Sequence, residues 1–121
     1  MRLTTLLAVA AVALIATAAA SPVVPPKKLY GTVGPGFTIM LKSTPTSTKR
    51  VTALKAGRYT FVVADKSSIH NFEIEGVGME KEITDVSAVG TKTVTLTLKR
   101  GVYKYYCKPH ESTMHGSFRV T

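Results

Sequence analysis

The chain predicts an all-β fold, a two-sheet β-sandwich of about seven to eight short strands, and three observations carry that reading. From Leu29 onward, short runs rich in Val, Thr, Ile, Tyr and Phe are separated by turns containing Gly, Pro and Lys. The clearest runs alternate apolar and polar residues with a period of two. No helical stripe longer than about three turns interrupts them.

Taken in chain order, Phe37–Leu41 follows a Pro35-Gly36 turn and places Phe37, Ile39 and Leu41 on one side. Ser43–Arg50, STPTSTKR, is a polar surface loop. Gly57–Ala64 alternates Tyr59, Phe61 and Val63 inward. Residues 77–89 lack a period of two and carry Glu80, Lys81, Glu82 and Asp85, which predicts an irregular crossover with room for one helical turn. Thr91–Lys99 sets Val94, Leu96 and Leu98 against Thr93, Thr95 and Thr97. One open sheet would leave these apolar faces wet. Two sheets packed face to face, or a closed barrel, would cover them, and the sandwich is the preferred solution.

Residues 1–20, MRLTTLLAVAAVALIATAAA, combine one cation, Arg2, with an apolar run and the small pair Ala18 and Ala20 ahead of Ser21. That is the pattern of a secretory signal peptide; its apolar run is short for a membrane-spanning helix, and an uncleaved anchor is the less favoured alternative. Residues 21–28, SPVVPPKK, read as an extended tether, leaving 29–121 as the domain. Export implies a periplasmic or extracellular protein with no stable membrane insertion after cleavage.

Across its 121 residues the chain has 16 Lys and Arg, 7 Asp and Glu, 3 His and a single Cys, with a formal net charge of +9. One cysteine excludes an internal disulfide, and three histidines are too few for a multi-copper cluster. Removal of Arg2 with the leader leaves +8. Basic chains also bind nucleic acid, but no aromatic platform interleaves with the lysines, so no nucleic-acid partner is expected.

All three histidines and the cysteine fall in two segments, SIHNFEIEG and GVYKYYCKPHESTMHGSFRV. In the first, His70 shares parity with Phe72 and Ile74 and points inward, with Asn71, Glu73 and Glu75 expected outward. Alone, an inward imidazole is more often satisfied by a backbone carbonyl than by a metal. In the second, Tyr103, Tyr105 and Cys107 share one face, a turn at Lys108 and Pro109 presents His110 close to the sulfur, and Met114 follows. Thiolate, imidazole and thioether on one loop, with a second imidazole nearby, suit one mononuclear copper: two nitrogens and a sulfur in a trigonal plane, with a weak axial thioether. An unpaired thiol in an oxidising compartment is a liability unless something occupies it. Zinc could use some of these donors, but methionine serves it poorly. Met40 and Met79 read as packing or surface residues.

The C-x2-H-x3-M motif from Cys107 to Met114, flanked by GVYKYY and HGSF and joined to HNF at His70–Phe72, resembles the cupredoxins, in particular the small plastocyanin, pseudoazurin and amicyanin group. The resemblance covers residues 29–121 in motif order and implies a Greek-key sandwich. It implies His70, Cys107 and His110 as equatorial copper ligands and Met114 as the axial one. It also implies that Asn71 ties its strand to the ligand loop and that its amide reaches the Cys107 sulfur. Tyr106 would be the aromatic of a lateral electron-exit surface, and the solvent-facing edge of His110, ringed by apolar residues, the other exit. Two features depart from the pattern. Three residues separate His110 from Met114 where plastocyanins usually have four, which makes His115 a rival axial ligand. The chain is also broadly basic, with Lys104 and Lys108 flanking Tyr106, where many plastocyanins are acidic.

The resulting expectation is a monomeric electron carrier, not an enzyme, whose redox partners have acidic docking surfaces. A copper delivery or buffering protein is the alternative, and an interaction module with an incidental metal a third.

Overall fold

A computed structural model describes residues 9–121. Residues 1–8, the first part of the expected signal peptide, lie outside the described residues. Residues 9–26 enter no helix or strand, and among the described residues no helix is long and apolar enough to cross a membrane.

Nine strands form among the described residues: β1 Lys27–Val33, β2 Ile39–Lys42, β3 Ala53–Leu54, β4 Gly57–Asp65, β5 Phe72–Gly76, β6 Met79–Thr84, β7 Gly90–Leu98, β8 Gly101–Tyr106 and β9 His115–Val120. Among the described residues the one helical element is a single 3₁₀ turn, Lys108–His110. One sheet has the order β2-β1-β4-β7 and the other β3-β9-β8-β5-β6. Both are mixed, since β1 runs parallel to β4 and β3 parallel to β9. The expected all-β two-sheet sandwich is what the chain builds.

Period-two alternation explains most of the core. Tyr59, Phe61 and Val63 of β4 and Leu29 and Val33 of β1 point between the sheets, where they meet Phe72, Ile74, Tyr103, Tyr105, Phe118 and Val120. Phe72 stacks on Tyr105 at 5.6 Å and Tyr103 on Phe118 at 5.4 Å, an arrangement that adds to the simple burial of area. The small residue Gly116 makes room for Tyr105, because a Cβ there would collide with the phenol oxygen.

Four expectations change. β1 begins at Lys27, inside the segment read as tether, because Lys27 and Lys28 pair with Tyr59 and Thr60. The crossover at 77–89 contains a strand, β6, that pairs antiparallel with β5. It lies at a sheet edge with Glu80, Lys81 and Glu82 exposed, so it carries no apolar alternation. Phe37 is not a core residue: β2 starts at Ile39, and Phe37 is 59% exposed. Gly34 and Gly36, with φ of 70° and 68°, turn the chain there, and Phe37 still belongs to that bend, ahead of the alternation that begins at Ile39. Finally, Asn71 and Glu73 are buried (0% and 4% exposed), not outward. Their face of β5 is covered by β6 and Tyr106, and the β5–β6 register shifts between Phe72 and Glu73.

The strand ends define two poles. Val33, Asp65, Tyr106 and His115 stand at one, with the ligand-bearing loops. Lys27, Gly57, Leu98, Gly101 and Val120 stand at the other, the base.

Candidate metal centre

Two chain segments converge at the first pole. His70 closes the loop between β4 and β5, Cys107 follows the last residue of β8, and His110 ends the 3₁₀ turn. The loop before His70 is held by local caps. Asp65 Oδ1 accepts from the Ser67 amide at 3.1 Å, and Ser67 Oγ accepts from the Ile69 amide at 3.3 Å. Pro109 fixes the turn after Cys107. The ligand loop then closes on itself: the Cys107 amide donates to the Met114 carbonyl at 3.0 Å, and the Met114 amide to the His110 carbonyl at 2.8 Å.

His70 Nδ1 and His110 Nδ1 are 3.0 Å apart, and the Cys107 sulfur lies 3.6 Å from the first and 3.7 Å from the second. These donors form a single three-residue cluster, with His70 and Cys107 buried and His110 partly open, and no carboxylate joins it. Bonds of about 2.0 Å to nitrogen and 2.3 Å to sulfur at trigonal angles would span roughly 3.5 and 3.7 Å. The sulfur edges match, and the shorter nitrogen edge corresponds to a somewhat narrower angle. Two imidazole nitrogens and a thiolate around one point fit a first-row ion that accepts soft and borderline donors.

Met114 is 1% exposed and shares inward parity with Phe118 and Val120, so its thioether enters the interior beneath the loop. His115 has the opposite parity. It is exposed, with Nδ1 2.8 Å from the Glu111 carbonyl oxygen, and lines a shallow outer hollow with Val102, Lys104 and Ser117.

Asn71 does join the two ligand-bearing segments, through its side chain. Oδ1 accepts from the Lys108 amide at 2.7 Å, while Nδ2 donates to Glu73 at 3.3 Å and Glu82 at 3.4 Å. The expected bond from the Asn71 amide to the sulfur is absent; the sulfur's partners are the two imidazoles. The carboxylates that orient Asn71 escaped the sequence reading, because β5 parity assigns Glu73 to solvent and Glu82 lies in the unrecognised β6.

Tyr106 faces away from the interior but is not an open surface residue. Glu80 accepts its hydroxyl at 2.9 Å, and Lys104, paired with Glu111, lies over its ring at 5.0 Å, leaving it 4% exposed. Burial, the Glu80 hydrogen bond and the nearby carboxylates of Glu73 and Glu75 push its phenol well above the usual range. Phe37 was also missed. Its ring stands edge-on to both ligand imidazoles, 5.0 Å from His70 and 4.9 Å from His110, over the solvent side of the site.

With this geometry in place, comparison with known proteins decides the family. Residues 44–121 match the model of the copper binding proteins, plastocyanin/azurin family. The chain belongs to that family. Its cofactor is one copper ion, and the His70, Cys107 and His110 cluster is the group of donors that fits it.

The family's fold is found again in solved structures. A reduced amicyanin variant is 19% identical, with 81% of this chain and 86% of that one aligned at a TM-score of 0.50. A rusticyanin variant is 20% identical, with 78% and 76% aligned at 0.53. A multi-copper oxidase from Pediococcus acidilactici is 17% identical at 0.51; 90% of this chain covers only 29% of the oxidase. At these identities the likeness concerns the fold. Comparison with curated protein sequences finds no match.

Proposed function

We propose that this family member is a soluble carrier of single electrons, in which His70, Cys107 and His110, with Met114 as a fourth donor, would hold the copper ion. The carrying observation is the preformed triangle of two Nδ1 atoms and one sulfur, with edges of 3.0, 3.6 and 3.7 Å, built on strand ends and a self-bonded loop. Bound there, copper supplies a one-electron couple between Cu(II) and Cu(I). The chain's part is to keep the donors still. His70 and Cys107 are held in the packed interior, Asn71 fixes the Lys108 amide next in sequence to Cys107, and the Phe37 ring stands against both imidazoles. A rigid donor set changes little between oxidation states, which suits rapid transfer. The inward parity of Met114 and outward parity of His115 favour the thioether as fourth donor.

Residues 1–20 are read as a cleaved leader, 21–26 as a tether and the remainder as an exported, monomeric domain in the periplasm or outside the cell. Its partners are other redox proteins. The reading as a copper delivery or buffering protein is weaker, because two of the three clustered donors are buried and the loop is closed by its own hydrogen bonds.

The deciding measurement is the visible spectrum and reduction potential after adding Cu(II). An intense thiolate-to-copper band toward the red is expected, unchanged in His115→Ala and shifted, with the potential, in Met114→Ala. Weakly held, colourless copper would favour the handling role. A spectrum altered by His115→Ala and not by Met114→Ala would replace the axial donor.

A further inference from the structure

The excess positive charge is not spread evenly. At the base, the ends of β1, β3, β4, β7 and β9 bring together Lys27, Lys55, Arg58, Lys99, Arg100 and Arg119, all exposed, with Lys28 one rung above. Among the described residues no Asp or Glu stands at this end. The nearest carboxylates, Glu75 and Glu80, face each other one rung in from the β5–β6 hairpin, where Glu75 is also opposite Lys104. The other acidic residues lie toward the metal pole or along β5 and β6: Asp65, Glu73, Glu82, Asp85 and Glu111.

The chain that precedes β1 also leaves the fold at the base. Val24, Pro25 and Pro26 lie against Lys55–Tyr59, and upstream of them Val12, Leu14 and Ile15 are more than four-fifths exposed. Beside this exit Lys27, Lys28 and Lys55 line a groove of about 580 Å³. The copper donors are at the opposite pole.

We propose that the base is a docking surface for an anionic lipid bilayer, on which the protein stands with its metal pole outward. A broad cationic face without acidic residues is attracted to anionic headgroups cumulatively, each nearby Lys or Arg adding to the attraction. An apolar stretch leaving from the same face supplies a second, independent affinity for the bilayer for as long as the chain retains it. An acidic redox protein fits this face less well. Docked there, it would sit a full strand length from His70 and His110, where electron exchange with the metal is poor. The proposal is independent of the electron-carrier reading and of the identity of the axial ligand.

The test is co-sedimentation of the full, copper-loaded chain with vesicles of phosphatidylcholine, alone or with 30% phosphatidylglycerol (about that fraction suffices for a negative surface potential). Two variants of equal charge are compared: Lys27→Glu/Lys55→Glu/Arg58→Glu/Arg100→Glu at the base, and Lys49→Glu/Lys66→Glu/Lys81→Glu/Lys92→Glu elsewhere. Expected is a strong preference for the anionic vesicles that weakens with salt. The base variant should lose about a hundredfold or more in partitioning and the control only a few-fold. A milder pair, Lys55→Gln/Arg58→Gln, should lose roughly tenfold and guards against a failure of the larger variant to fold, which circular dichroism would reveal. Equal losses in the two quadruple variants would make net charge the cause and overturn the assignment. So would equal binding to the two kinds of vesicle, which would credit the apolar segment alone.

Discussion

At the metal pole the strands stop short and hand over to loops whose side chains are chosen for their donor atoms; at the base the strands run to their ends and the side chains are cations. His70 and Cys107 are buried, and although the cysteine also packs against the core, their donor atoms meet around one point. Leu98 and Val120 are equally buried and serve only the core, while the Lys and Arg around them stay in water. Stability and chemistry are therefore assigned to different ends of the same strands. A change at one end should be felt there and little at the other.

The largest effect expected from this division is at the sulfur. Cys107→Ser should abolish the intense colour and weaken copper binding by more than the roughly 10–100-fold that loss of a supporting residue costs. The melting temperature of the metal-free protein should stay close to that of the parent. If the metal-free variant unfolded as readily as a core mutant, the division would be wrong. Leu98→Ala should do the converse, removing about 2–5 kcal/mol of unfolding free energy in a denaturant titration and leaving the visible band where it was. Asn71→Ala sharpens the boundary, because it leaves the Lys108 amide and the Glu73 and Glu82 carboxylates without their common partner. Copper affinity, followed by chelator competition, should fall about 10–100-fold with the band shifted, and Asn71→Asp should restore only the acceptor half of the network.

Most of the sandwich was legible because one-sided burial writes a period of two into the chain, as in β4 and β7. β6 was not, because an edge strand with solvent on most of its surface has no reason to alternate, and Glu80, Lys81 and Glu82 look like a loop. The clustered donors His70, Cys107 and His110 were legible for a different reason: Cys and His have few roles in common outside a metal site, so their spacing carries information that survives without any contact map. Phe37 was misassigned because it belongs to the bend at residues 35–37 and not to β2, so the period of two that starts at Ile39 does not reach it. Asn71 and Glu73 were misassigned because burial among polar partners leaves no apolar signature. The net charge was plain from composition, but its separation into an acidic β5–β6 flank and a cationic base depends on strand order, which the sequence does not print.

The parallel pairing of β3 with β9 has a consequence for how the site is assembled. Ala53 and Leu54 find their partners at Arg119 and Val120, so the second sheet is not closed until the final strand has joined it. Contacts between such distant parts of a chain form late, since the intervening loop must first be closed at an entropic cost. Cys107, His110 and Met114 all lie just ahead of that last strand, and the carbonyl of Met114 reaches Cys107 across the turn that leads into it. The donors should therefore reach their final spacing late in folding, once β9 has joined the sheet.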